Sequence, residues 1–192
     1  RVRARGERAA GLDGRGRRDG RSVLEVACGT GRFTTLRAER GADATGLDIS
    51  AAMLARGREK ARQAGVRDRV EFLRGDAARL PFPDDSFDTV LAMRFFHLAD
   101  SPDRFVAEMA RVAREQVFFD TFNRASARSL YNRLLPMGSR LYSREEVEGL
   151  VADAGLEIAD ADHDFVLPYG FYRQVPNAVA DPVRRLDEAL SE

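Results

Sequence analysis

Val23 to Arg32, VLEVACGTGR, is the stretch whose reading decides the fold. Val23, Leu24, Val26 and Ala27 make a short, almost continuous apolar run, the pattern of a strand buried on both faces of a parallel sheet. Cys28, Gly29, Thr30 and Gly31 are small enough for a tight turn and a close approach of backbone to ligand. Arg32 to Arg40 then reads as an amphipathic helix. A strand, a glycine turn and a helix in this order bind nucleotides. Two features argue against a phosphate cradle: Glu25 puts a carboxylate near the turn, and Thr34 stands where a dinucleotide fingerprint carries its third glycine. A cationic ligand is expected, and a side chain added at Gly31 is expected to occupy that ligand's space.

Around this centre, Gly41 ends the helix and Ala44 to Leu47 forms a second strand that finishes at Asp48, 19 residues beyond Gly29. A carboxylate there can accept from both hydroxyls of a ribose; the alternative is a helix cap, although Ser50 already serves as N-cap for Ala51 to Ala64. Val70 to Leu73 is a third strand, leaving through Arg74, Gly75, Asp76 and Ala77, where Asp76 on its own terms could simply close a turn. LPFPDDS (Leu80 to Ser86) is a proline-punctuated loop before an apolar fourth strand, Phe87 to Met93. Ligands of open α/β sheets lie outside the carboxyl ends of the strands, so Arg94, Phe95, Phe96, His97 and Leu98 fall where an acceptor meets a cofactor. His97 is a weak candidate for a general base, the alternative being a packed, hydrogen-bonded ring; the catalytic residue is otherwise unassigned.

Four stretches in this order resemble the class I S-adenosylmethionine (SAM) dependent methyltransferases, and in particular the group that includes the ubiquinone and menaquinone biosynthesis enzymes. They are VLEVACGTGR, GLDIS (Gly46 to Ser50), RGDAARLPFPDDSFD (Arg74 to Asp88) and SREEVEGLVADAGLEI (Ser143 to Ile158). The resemblance implies an α/β, Rossmann-like, doubly wound sheet of seven mostly parallel strands with helices on both faces and the last strand but one in space antiparallel. It implies SAM as cofactor, bound by Glu25, Ala27, Gly29, Gly31, Asp48, Ile49, Asp76, Ala77 and Met93, with Asp76 and the Ala77 N–H on the adenine. It implies methyl transfer to a small-molecule acceptor by in-line displacement. The family's lysine, proline and glycine turn before the fifth strand is absent; Ala113 to Gln116 lead into Val117 to Thr121 instead.

The domain is expected to span 22–192, preceded by a mobile Arg/Gly-rich tail at 1–21. That tail lacks the cofactor-covering helices of the family and the chain does not begin with Met, which reads as a truncated lid. Ser101 and Pro102 open a helix running to about Val112, and a capping box of Ser143 and Glu146 opens another, ended by Gly155. Between them Tyr131, Met137, Arg140 and Tyr142 either line the acceptor site or belong to the core. Two final strands are expected near Leu156 to Asp160 and Phe165 to Arg173, and a short helix from Asp181 and Pro182.

The formal net charge is zero, from 31 basic and 31 acidic residues, yet it is graded: residues 1–22 carry eight Arg against three acids, and 145–192 carry twelve acids against three Arg. The basic start lacks interleaved aromatics, so nucleic acid is not an expected partner. No apolar stretch is long enough to span a bilayer and no secretion signal is evident, so a cytoplasmic protein is expected, of unassigned oligomeric state. Cys28 is the single cysteine, read as a small turn residue, and no metal site is expected. Two rival readings remain: an NAD-dependent oxidoreductase, which shares Gly29, Gly31 and Asp48 but leaves Asp76 and the LPF loop unexplained, and a non-catalytic SAM-binding protein.

Overall fold

The computed structural model describes residues 2–5, 21–124 and 139–161. Its strands are β1 (Val2–Arg5), β2 (Ser22–Val26), β3 (Asp43–Asp48), β4 (Val70–Arg74), β5 (Phe87–Ala92), β6 (Ala113–Phe119) and β7 (Glu157–Ala161). The helices are α1 (Arg32–Glu39), α2 (Ala51–Gln63), α3 (Pro102–Val112) and α4 (Arg144–Asp153). The strands form one sheet in the order β4-β3-β2-β5-β6-β1-β7, whose body is the five parallel strands β2 to β6. Among the described residues no helix is long and apolar enough to cross a membrane.

Alternation along β2 shows how the sheet is covered. Leu24 and Val26 are fully buried in the main core with Val106, Met109 and Val112 of α3 and Val147 and Val151 of α4. Glu25, between them, faces the other way and is bonded to Thr34 of α1. A second, smaller core of Cys28, Leu54, Ala61 and Phe72 lies under α2. Helices therefore cover both faces, and the apolar runs of β2 and β5 at the centre of the sheet follow from that double burial.

Local chemistry fixes the helix ends. Ser50 caps α2 by accepting from the Met53 N–H at 3.3 Å. Pro102 occupies the first turn of α3, where its missing N–H costs nothing. Ser143 and Glu146 exchange both capping bonds, at 3.2 and 2.7 Å, and Gly155 follows α4 with φ 70°.

Three expectations are corrected. The expected antiparallel strand, last but one in space, is present, but the sequence places all seven strands between Val23 and Arg173 and it is not among them. Among the described residues that span holds six strands, and the antiparallel position beside β6 is filled by Val2–Arg5, which pairs with both β6 and β7. Residues 2–5, read as part of a mobile tail, are thus a strand; 6–20 and the strand and helix expected at 165–173 and 181–182 lie outside the described residues. The fifth strand expected at Val117 to Thr121 is β6, which starts four residues earlier, directly from α3. No glycine turn is needed because Arg114 binds the Asp88 carboxylate and, at 2.9 Å, the Asp85 carbonyl, pinning the chain extended at once.

Candidate functional site

Every loop carrying a predicted cofactor residue leaves a carboxyl end of the parallel sheet, and backbone bonds tie these loops side by side. Directly after β2 the chain takes a left-handed conformation at alternate residues: Ala27 (φ 53°), Gly29 (54°) and Gly31 (64°). Such alternation turns successive N–H groups toward a concavity suited to an anion. Here the protein supplies its own anions. The Gly29 N–H donates to Asp48 Oδ2 at 2.7 Å, and the Thr34 N–H, in the first turn of α1, donates to Glu25 Oε2 at 2.7 Å, with the Thr34 hydroxyl on the same oxygen. The Gly31 N–H is taken by the Cys28 carbonyl at 2.8 Å. A pyrophosphate would find these donors engaged.

Glu25 is only 4 % exposed. Burial pushes its carboxyl up to about 7 against the pull of the Thr34 bonds, with the Asp48 charge adding to the rise. It sits behind the turn and braces it, rather than lining open space. Burial and the same two carboxylates also push the Cys28 thiol up, consistent with a packed turn residue rather than a nucleophile.

Asp48 ends β3 half-buried, and its other oxygen accepts from the Ser50 N–H at 2.8 Å. It joins the glycine turn to the start of α2, and each carboxylate oxygen keeps capacity for a further hydrogen. Ile49 follows with 68 % of its surface exposed, its carbonyl held by Arg74 Nε at 3.0 Å. The Gly75 N–H reaches the Asp48 carbonyl at 3.1 Å, setting the β4 loop beside the β3 loop. Asp76 is exposed and accepts from the Ala78 N–H at 2.9 Å, so it does close the turn; Ala77 packs on the main core.

The two glycines differ. A Cβ at Gly29 would meet nothing within 4 Å, whereas one at Gly31 would lie 2.4 Å from Phe72 Cζ. The expectation that a side chain at Gly31 would fill ligand space is therefore corrected: that space belongs to the Phe72 ring, and Gly29 is the residue that fronts an open volume.

At the exit of β5, Met93 is half-buried and Arg94 is exposed with φ 58°, its main-chain N–H bound to Asp120 Oδ1 just past β6. His97 lies in a 3-10 turn (Phe96–Leu98), its ring 4.6 Å from that of Phe122 and its carbonyl accepting from the Arg140 N–H at 2.9 Å. Tyr142 is 2 % exposed with its hydroxyl on the Phe96 carbonyl at 2.8 Å, which resolves its two readings in favour of the core; Tyr131 and Met137 lie outside the described residues. A cavity of about 510 Å³ beside α2 and β4, lined by Arg58, Arg62, Arg67 and Phe72 among others, contains none of these loop residues.

Sequence reasoning missed three partners. Thr34 was seen only as an absent glycine, although a hydroxyl nine residues after a buried acid and at a helix start is a signal for a brace. Asp120, the residue after β6, takes the Arg94 main-chain N–H, a partnership between two strand ends that no local pattern announces. Arg111, whose guanidinium holds the Leu80 and Phe82 carbonyls at 3.1 and 2.8 Å, the Asp84 carboxylate and Glu108, explains why the LPFPDD loop keeps its shape. Nothing short of the fold brings it there.

A family profile described as "Methyltransferase domain" matches residues 24–119, half of the chain. The chain belongs to this family, the class I SAM-dependent methyltransferases. Among curated relatives, this methyltransferase domain is 46 % identical over 107 residues to phosphatidylethanolamine N-methyltransferase of Cereibacter sphaeroides, covering 56 % of the chain and 50 % of the relative. It is 37 % identical over 142 residues to fatty-acid O-methyltransferase of Mycolicibacterium smegmatis, covering 73 % and 45 %. Over 100 residues it is 42 % identical to demethylmenaquinone methyltransferase of Listeria welshimeri, covering 50 % and 41 %. The chain spans half or less of the length of these relatives. Among solved structures, the [4+2]-cyclase SpnF aligns with TM-score 0.63 at 31 % identity over 73 % of the chain and 53 % of its own. Magnesium protoporphyrin IX methyltransferase from Synechocystis with bound SAH, the demethylated cofactor, aligns with TM-score 0.64 at 20 % identity over 71 % and 64 %, a likeness of fold.

Proposed function

We propose that the protein transfers a methyl group from SAM to a small molecule with an apolar body. One observation carries the cofactor half of this reading: the Gly29 N–H of the glycine turn is taken by the half-buried Asp48 carboxylate, which gives the open side of the turn an acidic edge, suited to a sulfonium and an ammonium and unsuited to the pyrophosphate of NAD. The residues fit the group. The open space in front of Gly29 leaves room for it, Asp48 retains acceptor capacity for a ribose diol, and Ile49 offers an exposed apolar face for a base. Ala27 and Gly31 shape the turn, Asp76 and the Ala77 N–H meet the adenine edge, and Met93 faces the reacting end. Glu25 acts from behind, holding α1 against the turn.

Bound SAM supplies an electrophilic methyl on an excellent leaving group. What the chain adds is alignment, which is where most of the barrier can be lowered in such a displacement. His97 stands beside the acceptor position as a proton acceptor for those nucleophiles that carry a proton. The acceptor half rests on the relatives, named for a phospholipid, a fatty acid and demethylmenaquinone as acceptors, and on Leu98, 67 % exposed just past the end of β5.

Calorimetric titration with SAH and with NAD tests the cofactor assignment. Binding of SAH at least about tenfold tighter, or 1.4 kcal/mol, is expected. NAD binding without SAH binding overturns it.

A further inference from the structure

Three non-glycine residues among those described have left-handed backbones, and two of them, Ala27 and Arg94, stand at the carboxyl ends of neighbouring strands β2 and β5. From β2 the chain proceeds toward β3 and β4; from β5 it proceeds toward β6. The crevice between their ends is therefore the switch point of the sheet, where ligands of this architecture sit. Ala27 belongs to the cofactor turn. Arg94 belongs to the other wall and has no role in the reading so far.

A left-handed arginine is strained, a conformation that persists only where the surroundings impose it. Asp120 imposes it here by gripping the Arg94 main-chain N–H. The same carboxylate does not pair with the guanidinium, and among the described residues no other carboxylate does. Nearby arginines are occupied: Arg74 on the Ile49 carbonyl, Arg124 on Glu146, Arg140 over the Tyr142 ring. Arg94 is thus an exposed cation, held at fixed backbone geometry at the switch point and followed at a short distance in the chain by the exposed apolar side chain of Leu98.

We propose that Arg94 anchors an anionic group of the acceptor, which makes the acceptor an amphiphile with a carboxylate head and an apolar body. This rests on the methyltransferase reading for what the acceptor is, but not for how the anion is held. A planar guanidinium offers two parallel donors to a carboxylate, while the exposed Leu98 takes the chain.

The test uses octanoate and octan-1-ol, equal in chain length and different in charge, titrated into the native protein, Arg94→Gln and Arg94→Gly, each with and without saturating SAH. Octanoate should bind the native protein at least about tenfold more tightly than the alcohol, and the preference should weaken as salt rises. In both variants the ratio should fall to within about twofold, while SAH affinity stays within about twofold of native. Glycine accepts the left-handed backbone without strain, so a folding defect in Arg94→Gln alone leaves Arg94→Gly to decide. Equal binding of acid and alcohol by the native protein, or a ratio unchanged in Arg94→Gly, overturns the assignment. Failure of the native protein to bind SAH would instead count against the cofactor reading, since the acid-to-alcohol ratio is read separately in its absence.

Discussion

Gly29 and Gly31 are two residues apart and both left-handed, yet the same substitution meets different surroundings at each. Gly29→Ala should cost about 1–2 kcal/mol of backbone strain, leave the fold intact and weaken SAH binding at least about tenfold, because its Cβ enters the open volume. Gly31→Ala adds a collision with the Phe72 ring and should destabilise by about 2–4 kcal/mol. Urea unfolding and SAH titration of the pair distinguish them; equal stability losses would mean that Phe72 yields freely. Glu25 makes a different prediction. Its carboxyl is raised from 4.5 to about 7 in the folded chain, so between those values the native state holds a proton that the unfolded state has released. Stability from this group is greatest below about pH 4.5 and is lost as pH rises to about 7, a total of about 3 kcal/mol. Glu25→Gln removes that loss: the variant should match the native protein near pH 5 and exceed it by about 1–3 kcal/mol at pH 8, while binding SAH more weakly. Parallel pH profiles of unfolding in the two proteins would contradict a buried, proton-holding Glu25.

The loop between β4 and β5 keeps its form through a residue on a helix. Arg111 of α3 donates to two loop carbonyls and to Asp84, and its neighbour Glu108 accepts the Leu80 N–H at 2.7 Å. Arg111→Met keeps the stem and removes the donors, and because the guanidinium is partly exposed the expected loss is about 2 kcal/mol, read by urea unfolding. Hydrogen exchange should quicken from Leu80 to Ser86 and not in α3; uniform quickening would mean that the loop has no separate tether. Elements of this kind divide sharply in how far a sequence reveals them. The strands β2 to β5, the capped starts of α2 and α4, the proline start of α3 and the glycine end of α4 were legible, because apolar runs, capping residues and proline act within a few positions of where they stand. The start of β6 was not, since it depends on Arg114 meeting Asp88 across 26 residues. Nor was β1: VRAR carries no run of large apolar residues, and its place is set by two partner strands rather than by its own pattern. At the site, Glu25 and Asp48 were legible as acids beside a turn, while their use of that turn's own N–H groups required the folded geometry.

Across the whole molecule, β7 pairs with β1 and, among the described residues, with no other strand, so the outer edge of the sheet depends on four residues from the other end of the chain. Ala4→Pro removes an N–H from a strand that is paired on both sides, and it should strip protection from β7 amides while β2 to β5 keep theirs. Hydrogen exchange followed by mass spectrometry checks this, and unchanged β7 protection would show that β1 is not its support. SAH affinity should be unaffected, since the cofactor loops leave the far half of the sheet. A different dependence runs through the other half. The Phe72 ring on β4 lies 2.4 Å from a would-be Cβ at Gly31 before α1, 2.8 Å from one at Gly46 on β3 and 2.9 Å from one at Gly57 on α2. One aromatic ring therefore crowds three separate places, and a change at any of them is felt at the same side chain. A lineage that exchanged Phe72 for a smaller residue would release a side chain at Gly57, while Gly31 would stay held by its left-handed backbone and Gly46 by Cys28 Sγ, 2.9 Å from its would-be Cβ; a lineage that changed any one glycine first would have to pass through a strained ancestor.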